Sequence, residues 1–259
     1  MITMSALSAL GKILGGIILG LFLIGLIYAS AMAQFTTHDN LQPAFTGLIS
    51  MGMPVNESDF AQTKATFTQY CQQPGITVID LGALGGGGPN MTLACSDVAT
   101  ATSAAQLVQF IAIGAFNSLY YKNYSCDFIS CLSTLPDSEK PTVIFSAHAN
   151  AFLNQIVTWM IAGVVLGLAL LVVSIRKPFG IVKAVGIEMI GAGVVAYVGM
   201  SFVKGMIPAN MPDALAPLLN SLFGALQNNF VIVLAIGVVL AVIGFVGARL
   251  AKKPAKKKK

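Results

Sequence analysis

Charge is scarce in this chain. Of its 259 residues, 10% are Asp, Glu, Lys or Arg, against roughly 25% in an average globular chain. Apolar residues make up 56%, so a densely solvated surface all round is excluded. The only dense basic run is a tail of lysines at 252, 253 and 256–259, with no arginine or aromatic residue among them. That pattern argues against nucleic-acid binding. The chain also lacks Gly-x-Ser-x-Gly, His-Glu-x-x-His and the Gly-Lys-[Ser/Thr] of a phosphate-binding loop. No cofactor is implied. An extracytoplasmic enzyme built on Asp80, His148 and a serine has nothing in the sequence to bring the three together.

What the chain does have is long apolar runs. A helix needs about 20 apolar residues to cross a bilayer. Four segments qualify: Ile13–Ala33, Phe152–Ile175, about Gly180–Phe202, and Phe230–Leu250. The expected fold class is therefore an α-helical membrane protein with about four transmembrane helices. The expected organisation is a signal anchor over 1–33, an extracytoplasmic domain over 34–151, three further spans over 152–250 and a polylysine tail over 251–259. Ala31-Met-Ala33 also resembles a signal-peptide cleavage site, so the first segment has a competing reading as a removable leader.

Basic residues set the orientation. Lys12 precedes the first segment, and Arg176, Lys177 and Lys183 lie between the second and third. Arg249 and the lysine tail mark the end of the fourth. Positive flanks belong to the cytoplasmic side, which puts both termini inside and residues 34–151 outside. That interval carries eight Asp or Glu against three Lys, about −5 with histidine neutral.

Covalent chemistry points the same way. All four cysteines (Cys71, Cys95, Cys126, Cys131) fall in 34–151, as do three N-x-[ST] sequons at Asn56, Asn90 and Asn123. Disulfides and N-glycans belong to the oxidising side of a membrane. Four cysteines allow three pairings. The local one, Cys71–Cys95 with Cys126–Cys131, is preferred, and crossed pairing stays open. Metal binding is the rival reading. Cys126-x4-Cys131 lacks zinc or redox spacing, and His38 and His148 stand apart in sequence.

Within the interval, a mixed α+β domain is expected. Thr36–Ser50 suits a short helix broken at Pro43. Ser58–Gln72 suits a helix capped by Ser58, with Phe60, Phe67 and Cys71 on one face. Ile76–Leu81 and Met91–Cys95 read as strands, separated by a loop over Gly85–Gly88 and Pro89. Ser103–Tyr121 is helical and apolar enough to weigh as a fifth span, but it carries three amides. Further on, the leucine stripe of 212–228 suggests a separate amphipathic helix on the outer leaflet, with Pro217 as a kink.

Inside the spans, Gly16-x-x-x-Gly20 and Gly163-x-x-x-Gly167 have the spacing that lets helix backbones approach. Glu188 is the one acid well inside a span. It suits an ion pair with Lys183 or Arg176, a buried neutral acid, or a functional group.

The run Tyr120-Tyr121-Lys122-Asn123-Tyr124-Ser125-Cys126-Asp127-Phe128-Ile129-Ser130-Cys131 resembles a signature of uncharacterised multi-pass membrane proteins of archaea. That resemblance implies a cysteine-bearing exported domain after an N-terminal span, and it carries no activity. The functional expectation is a glycosylated, disulfide-bonded domain presented for interaction or envelope support. The expected partners are the lipid bilayer and other membrane or cell-surface proteins. The alternative is a subunit of a transport or assembly complex that uses Glu188. Oligomeric state is not legible.

Overall fold

The computed structural model describes residues 4–52, 56–82, 92–175, 177–206 and 216–251. The glycine loop with Pro89, Asn90, Met91, Arg176, Pro212 and the lysines of 252–259 lie outside the described residues. The chain is mostly helical, with ten helices and two short strands among the described residues. It divides into two compact units: residues 35–152 with 210–221, and residues 1–34, 153–209 and 222–259.

The first unit is built around one helix. In chain order its elements are α2 (His38–Gly52), α3 (Glu57–Cys71), β1 (Val78–Asp80), β2 (Thr92–Ala94), α4 (Cys95–Thr100), α5 (Ala104–Tyr120), α6 (Phe128–Thr134) and α7 (Lys140–Ile144). β1 and β2 pair antiparallel, with Ile79 opposite Leu93. Alternation turns both of these side chains inward, where they are at most 4% exposed. They meet Val98, Ala101, Leu107 and Ile111, and α3 adds Phe60, Phe67, Tyr70 and Cys71.

The segment weighed as a fifth span is α5, the core helix of this unit. Ser103 caps it by accepting from the Gln106 N–H at 3.2 Å. Leu107, Val108, Ile111, Ala112, Ala115 and Phe116 are all buried in the protein. Gly114 is required here, because a Cβ would collide with the carbonyl oxygen of Thr92 on the neighbouring strand.

Two helix boundaries differ from expectation. α2 runs through Pro43 without a break. The amide hydrogen that Pro43 lacks would have served the carbonyl of Asp39, at the exposed first turn, where water can replace it. α3 begins at Glu57 with Asn56 as cap residue, while the Ser58 hydroxyl donates to Asp59 Oδ1 at 3.1 Å. The backbone enters the helix two residues early, so Ser58 does not act as the cap.

The second unit holds most of four long apolar helices: α1 (Met4–Phe35), α8 (Ala147–Ser174), α9 (Pro178–Met206) and α10 (Ala216–Leu250). Each is long and apolar enough to cross a membrane. Neighbours along α1 fix the directions. Gly11 faces Ser174, Gly15 faces Leu171, Leu19 lies on Gly167 and Phe22 on Gly163, so α8 runs antiparallel to α1. Gly16 faces Glu188, and the Tyr28 hydroxyl donates to the Ala196 carbonyl at 3.0 Å, so α9 runs parallel to α1. Gly186 faces Ala241 and Gly193 faces Leu234, which makes α10 antiparallel to α9. The helices therefore alternate up, down, up, down.

Small residues make these approaches possible. A Cβ on Gly167 would lie 2.8 Å from the Leu19 nitrogen, and one on Gly237 would lie 2.9 Å from the Ile190 nitrogen. Leu19, Leu23, Leu171 and Ala192 form the interior. Outward faces are also apolar, with Val173 83%, Phe202 71% and Trp159 66% exposed.

The separate amphipathic helix expected over 212–228 is corrected for its described part. From Ala216 onward the segment continues unbroken into the fourth apolar run as α10. Pro217 falls in the first turn, where no intrahelical donor is needed, so it produces no kink. The polar run at 227–229 does not end the helix either. The side-chain amide of Asn229 donates to Ser30 Oγ at 3.0 Å.

Candidate functional site

The tyrosine–cysteine run gathers around the C-terminus of α5. Tyr120 is buried, and its hydroxyl donates to the Thr36 carbonyl at 3.0 Å. Burial pushes the Tyr120 hydroxyl above its ordinary pKa. His38 is isolated in sequence but not in space. Its Nε2 lies 2.7 Å from Asn117 Oδ1, so the imidazole donates there, and its Nδ1 faces Asp39 at 3.3 Å. Three rings surround it, with centroids at 5.2 Å (Phe116), 5.3 Å (Tyr120) and 5.6 Å (Tyr121). Tyr121 stacks on the imidazole and is 59% exposed. This cluster escaped sequence reasoning because its two halves lie 79 residues apart.

Beyond the tyrosines, Cys126 is bonded to Cys131, and Cys71 to Cys95. Both bridges follow the local pairing. Asp127 caps α6 between the second pair. The Ser130 hydroxyl donates to Asp127 Oδ2 at 2.6 Å and the Ser130 N–H to Oδ1 at 3.0 Å. Those bonds, the hydroxyl foremost, hold the Asp127 carboxyl below its ordinary value. A depressed folded-state pKa gives stability that is present above the unfolded value and lost as pH falls through the folded one. α6 should therefore keep its cap down to below about pH 4, where a free carboxylate already takes up protons. An NMR titration should place the Asp127 midpoint below that of a free carboxylate, and Ser130→Ala should raise it. An unmoved midpoint in the variant would refute the cap's role.

Nearby, Lys122 pairs with Glu139 at 2.9 Å, and this bond raises the lysine's pKa. Tyr124 contacts the ring of His148 at 5.9 Å. Nε2 of His148 is buried and has no hydrogen-bond partner among the described residues. His38 and His148 join no group of three or more potential metal ligands among the described residues. The sequon residues Asn56 and Asn123 are exposed, and Asn90 lies outside the described residues.

In the helical unit, Glu188 lies against the glycine pair of α1. A Cβ on Gly16 would sit 2.6 Å from Glu188 Oε1, and one on Gly20 would sit 3.2 Å from Oε2. The ion pair expected with Lys183 is absent. The Lys183 ammonium instead lies 4.0 Å from the centre of the Phe245 ring. Five residues separate Lys183 and Glu188, which on a helix turns them well away from each other. Glu188 has no hydrogen bond or ion pair among the described residues.

Compared with known proteins, the chain matches no family model, no curated protein and no solved structure.

Proposed function

We propose that this is a multi-pass integral membrane protein that presents residues 34–151 outside the cell as a disulfide-stapled, N-glycosylated domain for interaction or envelope support. The bilayer is its first partner, and other membrane or cell-surface proteins are the next. The observation that carries the reading is the alternation of the four helices. It gathers Lys12, Lys177, Lys183 and Arg249 at one end of the helical unit, with Lys204 at the other. A cationic end of that kind belongs on the cytoplasmic side. The exposed apolar belt supports insertion, because water would penalise it and lipid would not. Both disulfides lie in the exported stretch, as do the exposed residues Asn56 and Asn123. Tyr121, exposed and stacked on His38, is a rigid amphipathic contact residue of the type that interfaces use.

The topology is tested with single cysteines at Ser133 and Ser174. An impermeant maleimide applied to intact cells should label the first and spare the second. Labelling of both, or of Ser174 alone, would overturn the arrangement.

A second reading, a transport or assembly subunit, is favoured by one observation: Glu188 is an intramembrane acid without a partner among the described residues. For a surface-presenting protein, Glu188→Gln should leave surface expression and growth unchanged. Loss of an ion or proton flux at normal expression would transfer the function to the spans.

A further inference from the structure

Between α2, α5 and α7 lies a half-open cavity of about 240 Å³, lined by Phe45, Phe116, Leu119, Pro141, Thr142 and Phe145. Phe45 forms one wall, with ring centroids 5.5 Å from Phe116 and 5.3 Å from Phe145. These six residues thus make an aromatic-walled space that the side chains of the described residues leave unfilled.

The polar groups around it are already committed. Thr142 is the only lining residue with a polar side chain. Its hydroxyl donates to the Glu139 carbonyl at 2.7 Å, which leaves it to accept from the Tyr124 hydroxyl at 3.1 Å. The nearby charges are also paired: Lys122 with Glu139 at 2.9 Å, and Lys140 with Asp137 at 2.6 Å. An ionic or strongly hydrogen-bonding ligand would find no counterpart here and would lose its hydration.

We propose that this cavity binds a neutral hydrocarbon group, either an aromatic ring or a branched alkyl end. For scale, an enclosed apolar cavity of roughly 150 Å³ takes up benzene. By proportion this one holds about ten heavy atoms. Tilted phenyl walls favour a ring edge or a methyl-branched chain, through edge-to-face and dispersion contacts. The proposal is independent of the side of the membrane on which the domain lies. The source of the group, a membrane lipid or a free small molecule, is left to the experiment.

The test uses the full chain in lipid nanodiscs and the photoactivatable probe phenyl(trifluoromethyl)diazirine, with adducts mapped by mass spectrometry. Labelling of the peptides that carry Phe45, Phe116 and Phe145 should saturate with probe concentration, and butylbenzene should compete with it. Labelling around Trp159 and Phe202, exposed on the apolar helices, should rise linearly and serve as the internal control. Filling the cavity with Leu119→Trp should lower wall labelling about tenfold, a change of ~1.4 kcal/mol in binding. Thr142→Ile is a second filling variant should the first fail to fold. Competition by phospholipid-derived alkyl chains as well as by butylbenzene would assign the source to lipid, and competition by butylbenzene alone would assign it to a free molecule. Wall labelling that rises linearly, resists both competitors and persists in a folded filled variant would overturn the proposal.

Discussion

Replacing Cys71 and Cys95 together by serine should lower the melting temperature of the cysteine-bearing unit by roughly 10–15 °C, and replacing Cys126 and Cys131 should lower it by less. The order follows from loop size. The first bridge joins residues 24 apart and the second residues five apart. Constraining the unfolded chain over those loops contributes roughly 3.5 and 2 kcal/mol in the chain-entropy account. A domain of this size is stable by only about 5–15 kcal/mol, so the first figure is a large share. Packing adds to it. Cys71 ends α3, Cys95 begins α4, and both lie against the cluster of Ile79, Leu93, Val98, Leu107 and Ile111. The loss therefore loosens the contact between α3 and the two strands. Thermal scans of the full chain in nanodiscs, with near-ultraviolet circular dichroism as the readout, measure it. Equal effects of the two double variants, or a larger effect at Cys126–Cys131, would refute the loop-size argument.

The features legible in the sequence were those written in local patterns. Length and composition marked the four apolar helices, because crossing hydrocarbon needs a continuous run. β-rich composition marked the two short strands, and a long apolar stretch marked α5. Short spacing favoured the two disulfides. Where polarity alone was read as a boundary, the reading failed. The leucine stripe of 212–228 looked like a separate helix. Helical hydrogen bonds are indifferent to side-chain polarity, and Asn229 found a partner in Ser30. Pro43 looked like a break, but its missing donor falls where solvent compensates. Contacts made by distant segments left no trace to read. The His38–Asn117 bond, the Tyr121 stack and the Glu188–Gly16 approach span 79 to 172 residues.

Gly186→Leu should strongly destabilise the helical unit, and Gly191→Leu on the same helix should be nearly silent. Both glycines lie inside α9, so the change in helix propensity is alike and favours leucine in each case. Their surroundings differ. A Cβ at 186 would lie 2.8 Å from the Ala241 Cα and 2.8 Å from the Gly237 oxygen, and closer still to the Ala241 nitrogen. These are backbone atoms of α10, which cannot turn aside as a side chain can. At 191 a Cβ meets nothing within 4 Å. The first variant must therefore push α9 and α10 apart, and with them the reciprocal contact of Gly237 on the Ile190 backbone. Overpacking a tight site costs about 1–3 kcal/mol when side chains can adjust, and a rigid backbone neighbour puts this change at or above the upper end. In detergent, thermal aggregation followed by size-exclusion chromatography should show a fall for Gly186→Leu and no change for Gly191→Leu. A cysteine pair at Gly193 and Leu234, whose Cβ atoms would lie 3.2 Å apart, should cross-link in the parent and lose that cross-link with Leu at 186. Equal stability of the two leucine variants would mean that α9 and α10 do not pack through Gly186. Retention of the Gly193–Leu234 cross-link would mean that α10 shifts locally without separating from α9.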